Sequence, residues 1–145
     1  MKRRKLLKTG LAVTLAVMTL AQPVSAANWV HNNTGWWWRE DNGSYPANQW
    51  KAINGKWYWF DSNGYMVTGW RKINGTWYWM DASGAMATGW RNIGGKWYWM
   101  DASGAMATGW RNINGTWYYL ESSGAMASNK WIGNYYVEAS GAMAT

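Results

Sequence analysis

Residues 70–89 read WRKINGTWYWMDASGAMATG, and they decide the fold. At their centre stands Asn74-Gly75, a pair suited to a type I′ turn because both central residues of that turn need positive φ. A two-residue loop fixes the register on either side. Ile73 is expected to pair with Thr76, Lys72 with Trp77, Arg71 with Tyr78 and Trp70 with Trp79. Paired residues share a face and successive residues alternate faces. Trp70, Lys72, Trp77 and Trp79 therefore fall on one side of a hairpin, and Arg71, Ile73, Thr76 and Tyr78 on the other.

The stretch recurs along the chain. Asn54-Gly55 and Asn114-Gly115 repeat the turn, and Gly94-Gly95 is a permitted variant. The aromatic triplets return every 20 residues: Trp50, Trp57 and Trp59, then Trp70, Trp77 and Trp79, then Trp90, Trp97 and Trp99, then Trp110, Trp117 and Tyr119. A fixed period of this length marks an array whose units cannot bury a core alone and must stack on their neighbours. An isolated two-stranded hairpin is marginal in water, which argues the same way. After each hairpin comes Asp-x-x-Gly, as in Asp81 to Gly84, where Asp caps a turn and Gly takes its left-handed position. A stretch such as Gly84-Ala85-Met86-Ala87-Thr88-Gly89 follows, whose methionine (Met66, Met86, Met106, Met126 along the chain) is a flexible filler that packs well against aromatic rings.

The ends depart from the pattern. At the front, Trp29, Trp36 and Trp38 keep the spacing around a turn at Asn33-Thr34, and the following linker is one residue longer. At the back, Trp131 to Tyr136 form a shortened hairpin with Trp131 opposite Tyr136 and no full cage of its own. The expected architecture is an all-β solenoid of stacked β-hairpins, about six 20-residue repeats with the last shortened. The repeats lie near 29–49, 50–69, 70–89, 90–109, 110–130 and 131–145 of a module covering 27–145.

Residues 1–26 read as a secretory signal peptide. Lys2, Arg3, Arg4, Lys5 and Lys8 precede an apolar run from Leu11 to Leu20, and Val24-Ser25-Ala26 offers a cleavage site after Ala26. The run is short for a membrane span, and no transmembrane segment is expected after cleavage. Without those five cations, nine basic and seven acidic residues remain of the chain's 14 and 7. A net charge near +2 does not support nucleic-acid binding, which needs a clustered basic face. There is no cysteine, hence no disulfide framework and no cysteine nucleophile or metal site.

Sixteen tryptophans against one phenylalanine are unusual for a core. Indole faces around a small space suit a quaternary ammonium, drawn to the ring quadrupole and less costly to desolvate than Lys or Arg. The alternative is that the indoles are simply the interior of a thin solenoid, and both roles are compatible.

The motif Gly-Trp-x-x-x-Asn-Gly-x-Trp-Tyr-Trp, followed by Asp-x-x-Gly-x-Met-x-Thr-Gly-Trp, resembles the choline-binding, or cell-wall-binding, repeat of Gram-positive surface proteins and phage lysins. The resemblance covers residues 29–145. It implies a left-handed β-solenoid with choline of teichoic or lipoteichoic acid caged between successive hairpins. Carried over, the cages comprise Trp50 and Trp57, Trp70 and Trp77, Trp90 and Trp97, and Trp110 and Trp117. A further aromatic comes from the adjacent repeat, at the positions Trp59, Trp79, Trp99 and Tyr119, with Met66, Met86 and Met106 nearby. The departures are Trp in place of Tyr at three third positions, the missing first Trp of the last repeat, and Arg39 where Phe60, Met80 and Met100 stand elsewhere.

No catalytic site emerges. His31, the single histidine, reads as a solvated turn residue, and Asp61, Asp81, Asp101 and Glu121 recur as turn caps rather than as one acid/base pair. Lys51, Arg71, Arg91 and Arg111 fall on the face away from the indoles. The expectation is a secreted, non-catalytic module without metal or cofactor, held non-covalently at the cell wall by choline-bearing polymers. The competing readings are a carbohydrate-binding module that uses the same rings as stacking platforms, and a structural spacer with no small ligand.

Overall fold

The structure, a computed structural model, describes residues 25–145; the signal-peptide reading of residues 1–26 falls almost entirely outside them. Every sheet among the described residues is one two-stranded antiparallel hairpin. The strands are β1 (Asn28–His31) with β2 (Trp36–Arg39), β3 (Gln49–Ile53) with β4 (Lys56–Phe60), and β5 (Gly69–Ile73) with β6 (Thr76–Met80). They continue with β7 (Gly89–Ile93) and β8 (Lys96–Met100), β9 (Gly109–Ile113) and β10 (Thr116–Leu120), and β11 (Lys130–Ile132) and β12 (Tyr135–Val137).

The turn chemistry sets the register as expected. Asn74 and Gly75 stand at φ 49° and 83°, and the pairs are Ile73–Thr76, Lys72–Trp77, Arg71–Tyr78 and Trp70–Trp79. In the shortened last hairpin Trp131 is opposite Tyr136. The first hairpin turns at Asn33-Thr34 by another means. Neither residue has positive φ; instead the Asn32 side-chain oxygen accepts from the backbone N–H of Thr34 and Gly35 at 2.9 and 3.2 Å.

The turn after each hairpin is closed by a carboxylate where that residue is Asp. The Asp81 Oδ1 accepts from the N–H of Ser83 (2.8 Å) and Ala85 (3.1 Å), and Asp61 and Asp101 do the same. Glu121 departs from the expected capping role. The Ser123 hydroxyl accepts from the Ala125 N–H in its place, and Glu121 instead pairs with Lys130 at 2.8 Å.

The linkers stitch the hairpins together. Ala87 N–H donates to Trp79 O of its own hairpin and Met86 N–H to Trp57 O of the preceding one, both at 2.8 Å. Successive residues of one extended segment point to opposite sides, so a short linker bonds two consecutive units. Met66 to Trp36, Met106 to Trp77, Met126 to Trp97 and Met143 to Trp117 repeat the bond. A row of fully buried side chains, Phe60, Met80, Met100, Leu120 and Val137, runs through the stack. Arg39 occupies the equivalent register position in the first hairpin, opposite Asn28. Its Nη2 donates to Ser25 Oγ and Asn28 Oδ1, so a charged group with polar partners ends the apolar row.

Candidate functional site

The two faces of each hairpin meet in the stack. The indole face of one hairpin packs against the tyrosine face of the next, so Tyr78 meets Trp50 at 4.9 Å between ring centroids. Trp70–Tyr98 and Trp90–Tyr118 repeat that separation and a near-perpendicular inclination. Trp110–Tyr135 closes the series at 5.7 Å, and Trp29–Tyr58 opens it at 4.9 Å.

In two of the repeats the second indole stands at right angles to the first. Trp77 is 6.3 Å from Trp70 with 90° between planes, and Trp97 is 6.4 Å from Trp90 with 86°. Nothing covers these second indoles fully: Trp57 is 49% exposed, although a large apolar side chain is normally buried. The result is a row of half-open notches.

One notch, about 400 Å³, is lined by Trp50, Trp57, Tyr78, Met86, Ala102 and Ser103. The next, about 360 Å³, is lined by Trp70, Trp77, Tyr98, Met106, Ser122 and Ser123. A third, about 390 Å³, is formed by Trp110, Trp117, Tyr135 and Met143. The first two notches thus each draw on three consecutive repeats: two Trp from one, Tyr and Met from the next, and a turn from the one after.

The structure sorts the expected site residues into two groups. Trp50, Trp57, Trp70, Trp77, Trp110 and Trp117 line notches with Met86 and Met106, and Trp90 and Trp97 have the same mutual geometry. Trp59, Trp79, Trp99 and Tyr119 lie elsewhere. Each packs edge-on to the first Trp of its own hairpin at 5.2–5.3 Å, and Trp59 is only 7% exposed. They back the notch wall from behind. The ring that closes each notch is the tyrosine of the following hairpin: Tyr78, Tyr98, Tyr118 or Tyr135. Met66 belongs with the first hairpin, where its N–H bonds Trp36 O.

The tyrosines and Met143 were missed because register arithmetic treats one hairpin at a time. The available signal was alternation: an aromatic on the face away from the indoles must meet something once units stack.

The notch walls carry rings, a thioether and serine hydroxyls, and no carboxylate. Among the described residues, Lys72 brings a cation near, its Nζ 6.0 Å from the Trp77 ring centroid. Asp61, Asp81 and Asp101 serve the turns, while Glu40 and Glu121 pair with Lys51 and Lys130. Burial pushes the Asp81 carboxyl up, but hydrogen bonds from the Ser83 hydroxyl and the Ser83 and Ala85 N–H groups, with Lys56 nearby, outweigh it and hold the group below its ordinary range. Among the described residues no group of three His, Asp or Glu side chains is placed to hold a metal ion. His31 ends β1 opposite Trp36 rather than lying in the turn, and its ring sits exposed, 4.7 Å from that indole. No helix among these residues is long and apolar enough to cross a membrane.

With this geometry in view, comparison with known proteins is specific. A family model described as the choline-binding repeat matches residues 47–88 and 87–131. Choline-binding protein F from Streptococcus pneumoniae superposes with a TM-score of 0.78 at 40% identity, over 83% of this chain and 41% of that one. The multimodular pneumococcal cell-wall endolysin from phage Cp-1, solved in complex with choline, superposes with a TM-score of 0.62 at 46% identity, over 82% of this chain and 37% of that one. The lysozyme of Streptococcus phage Cp-1 is 46% identical over 34 residues, 23% of this chain and 10% of that enzyme. The chain spans less than half the length of each of these relatives.

Proposed function

The chain belongs to the choline-binding repeat family, and on that premise we propose that it is a secreted, non-catalytic module that binds choline residues of cell-wall teichoic or lipoteichoic acids through the notches between successive hairpins. One observation carries the reading. The Trp50–Trp57–Tyr78–Met86 arrangement, three rings and a thioether around a neutral, half-open space, recurs along the stack. A trimethylammonium group placed there faces ring quadrupoles on several sides, each contact worth roughly 0.5–2 kcal/mol. It also needs no hydrogen-bond partner, and the walls supply little beyond serine hydroxyls. A sugar in the same notch would leave most of its hydroxyls unpaired, which disfavours the carbohydrate reading at these positions.

A single notch of this kind binds weakly. A row of them facing a polymer that repeats the ligand gains avidity, because each bound site raises the effective concentration at the next. That supports non-covalent retention at a choline-decorated surface.

The test is titration of the purified protein with choline, followed by tryptophan fluorescence and thermal melting. Saturable quenching with a rising Tm in the millimolar range, weakened by Trp77→Ala, is the expected result. An unchanged Tm and unchanged fluorescence, with the protein instead retained on immobilised dextran, would sink the proposal.

A further inference from the structure

A different pocket opens at the front of the stack, and its chemistry is not that of the notches. It is about 240 Å³ and is lined by Asn32, Trp37, Tyr45, Asn63, Gly64 and Tyr65. By position it lies two repeats ahead of the Trp50–Trp57 notch. Trp37 holds the place of Tyr78 and Tyr98, since it pairs with Val30 as Tyr78 pairs with Arg71. Tyr45 holds the place of the linker methionine. A methyl group on Gly64 would lie 2.5 Å from Tyr45 Cδ2, just as one on Gly84 would lie 2.3 Å from Met66 Sδ. Asn63 and Tyr65 come from the turn that supplies Ala102 and Ser103 two repeats later.

What distinguishes this pocket is where the sequence leaves its own repeat. Trp37 replaces Tyr, Tyr45 replaces Met, Asn63 replaces Ser83, Ser103 and Ser123, and Tyr65 replaces Ala85, Ala105 and Ala125. These departures are scattered over 29 positions of sequence, yet they converge on one concavity. Each adds either a larger ring or a hydrogen-bonding group.

The polar groups are also oriented. Asn32 Nδ2 donates to Tyr65 Oη at 3.0 Å, which leaves the tyrosine O–H free to donate outward. The Asn63 backbone N–H is taken by Asp61, while its side-chain amide makes no hydrogen bond among the described residues and offers both a donor and an acceptor. Trp37 and Tyr45 meet at 5.9 Å and 78°, forming a corner of two ring surfaces, and Tyr45 is 55% exposed.

Flat ring surfaces beside fixed amide and hydroxyl groups suit a ligand with an apolar C–H face and hydroxyls at its edge. A quaternary ammonium gains nothing from the amide. We propose that this pocket is a saccharide subsite, holding one pyranose ring on the Trp37–Tyr45 corner with its hydroxyls at Asn63 and Tyr65. It would let one chain read both a choline substituent and a neighbouring sugar of the same wall polymer.

The experiment follows the Trp37 indole N–H by NMR while the full protein is titrated first with choline alone to saturation and then, with choline kept saturating, with N,N′-diacetylchitobiose and, separately, with maltose. A saturable Trp37 shift with at least one disaccharide is expected, with a millimolar midpoint. The triple variant Tyr45→Met, Asn63→Ser, Tyr65→Ala installs residues that the later repeats already carry, so its fold is preserved; an unchanged choline response confirms that. Its midpoint should weaken by roughly tenfold or more. No Trp37 shift with either sugar, or an equal shift in the variant, overturns the proposal. A Trp37 shift produced by choline itself makes the pocket one more cation notch and overturns it equally. Failure of the choline reading would show separately, at the Trp77 indole.

Discussion

At the scale of single residues, the glycine of the inter-hairpin turn does two jobs that can be separated. Gly104 stands at φ +83°, and a methyl there would lie 2.3 Å from Met86 Sδ. Gly55 stands at φ +76° with nothing within 4 Å. Gly55→Ala should therefore cost only the left-handed backbone penalty, about 1 kcal/mol. Gly104→Ala should cost that plus about 1–3 kcal/mol for forcing Met86 aside, and should weaken choline binding at the notch Met86 lines. Thermal melts with and without choline measure both effects; equal destabilisation by the two variants would disprove the Met86 interlock. The Asp81 cap makes a pH-dependent prediction. Its folded pKa is lowered, so its contribution is present above the unfolded carboxylate value, near pH 4, and is lost as pH falls through the lower folded value. Asp81→Ala should lower Tm at neutral pH, and the gap to wild type should begin to narrow as melts are run below about pH 4 and close at still lower pH.

At the scale of the element, residues on opposite faces of a hairpin carry different burdens. Trp59 is 7% exposed and backs Trp50, whereas Tyr78 forms the outer wall of the same notch. Trp59→Ala should cost about 3–5 kcal/mol of stability. Tyr78→Ala should instead weaken choline binding roughly two- to thirtyfold, the range of one cation–π contact, read at the Trp57 indole N–H. The reverse pattern would place the third cage ring back on the indole face. This is also where sequence reading reached its limit. Asn74-Gly75 fixes φ, loop length and hence every pair from Ile73–Thr76 to Trp70–Trp79, because all of that is local. Which ring faces Trp50 depends on how one hairpin lies on the next. That is set by bonds such as Met86 N–H to Trp57 O, across 29 residues. The family pattern named indoles that line the notches and looked for a third ring at Trp59, Trp79, Trp99 or Tyr119 of the adjacent repeat, whereas the third rings lining the notches are Tyr78, Tyr98 and Tyr135. The Asp-x-x-Gly turns were legible for Asp61, Asp81 and Asp101; at Glu121 the extra methylene leaves the carboxylate to Lys130 and the cap to Ser123.

At the scale of the whole molecule, the repeat makes stability and binding functions of neighbours. The repeated backbone bonds of the linkers run to their own hairpin and the preceding one, and side-chain contacts reach one unit further, as where Ala102 and Ser103 line the Trp50–Trp57 notch, so the array should behave as units coupled over short range. Excising residues 70–89 joins Gly69 to Trp90, and every position at the seam keeps the residue type it had, since Gly89 and Trp70 are the counterparts removed. The linker methionine Met106 would then take over the bond to Trp57 O that Met86 makes. The shortened protein should fold, melt at a lower temperature and bind one choline fewer by calorimetric titration. Because a ligand that binds only the folded state stabilises it by about 2.7 kcal/mol per site at a hundredfold excess over Kd, the choline-induced rise in stability should shrink by one site's share and not vanish. Excising residues 70–79 alone removes a hairpin but leaves its linker without the Trp79 carbonyl that Ala87 needs, and that protein should lose the cooperative melt. If the 20-residue deletion instead abolished every site at once, the notches would depend on the whole stack, and local sharing between adjacent repeats could not be their basis.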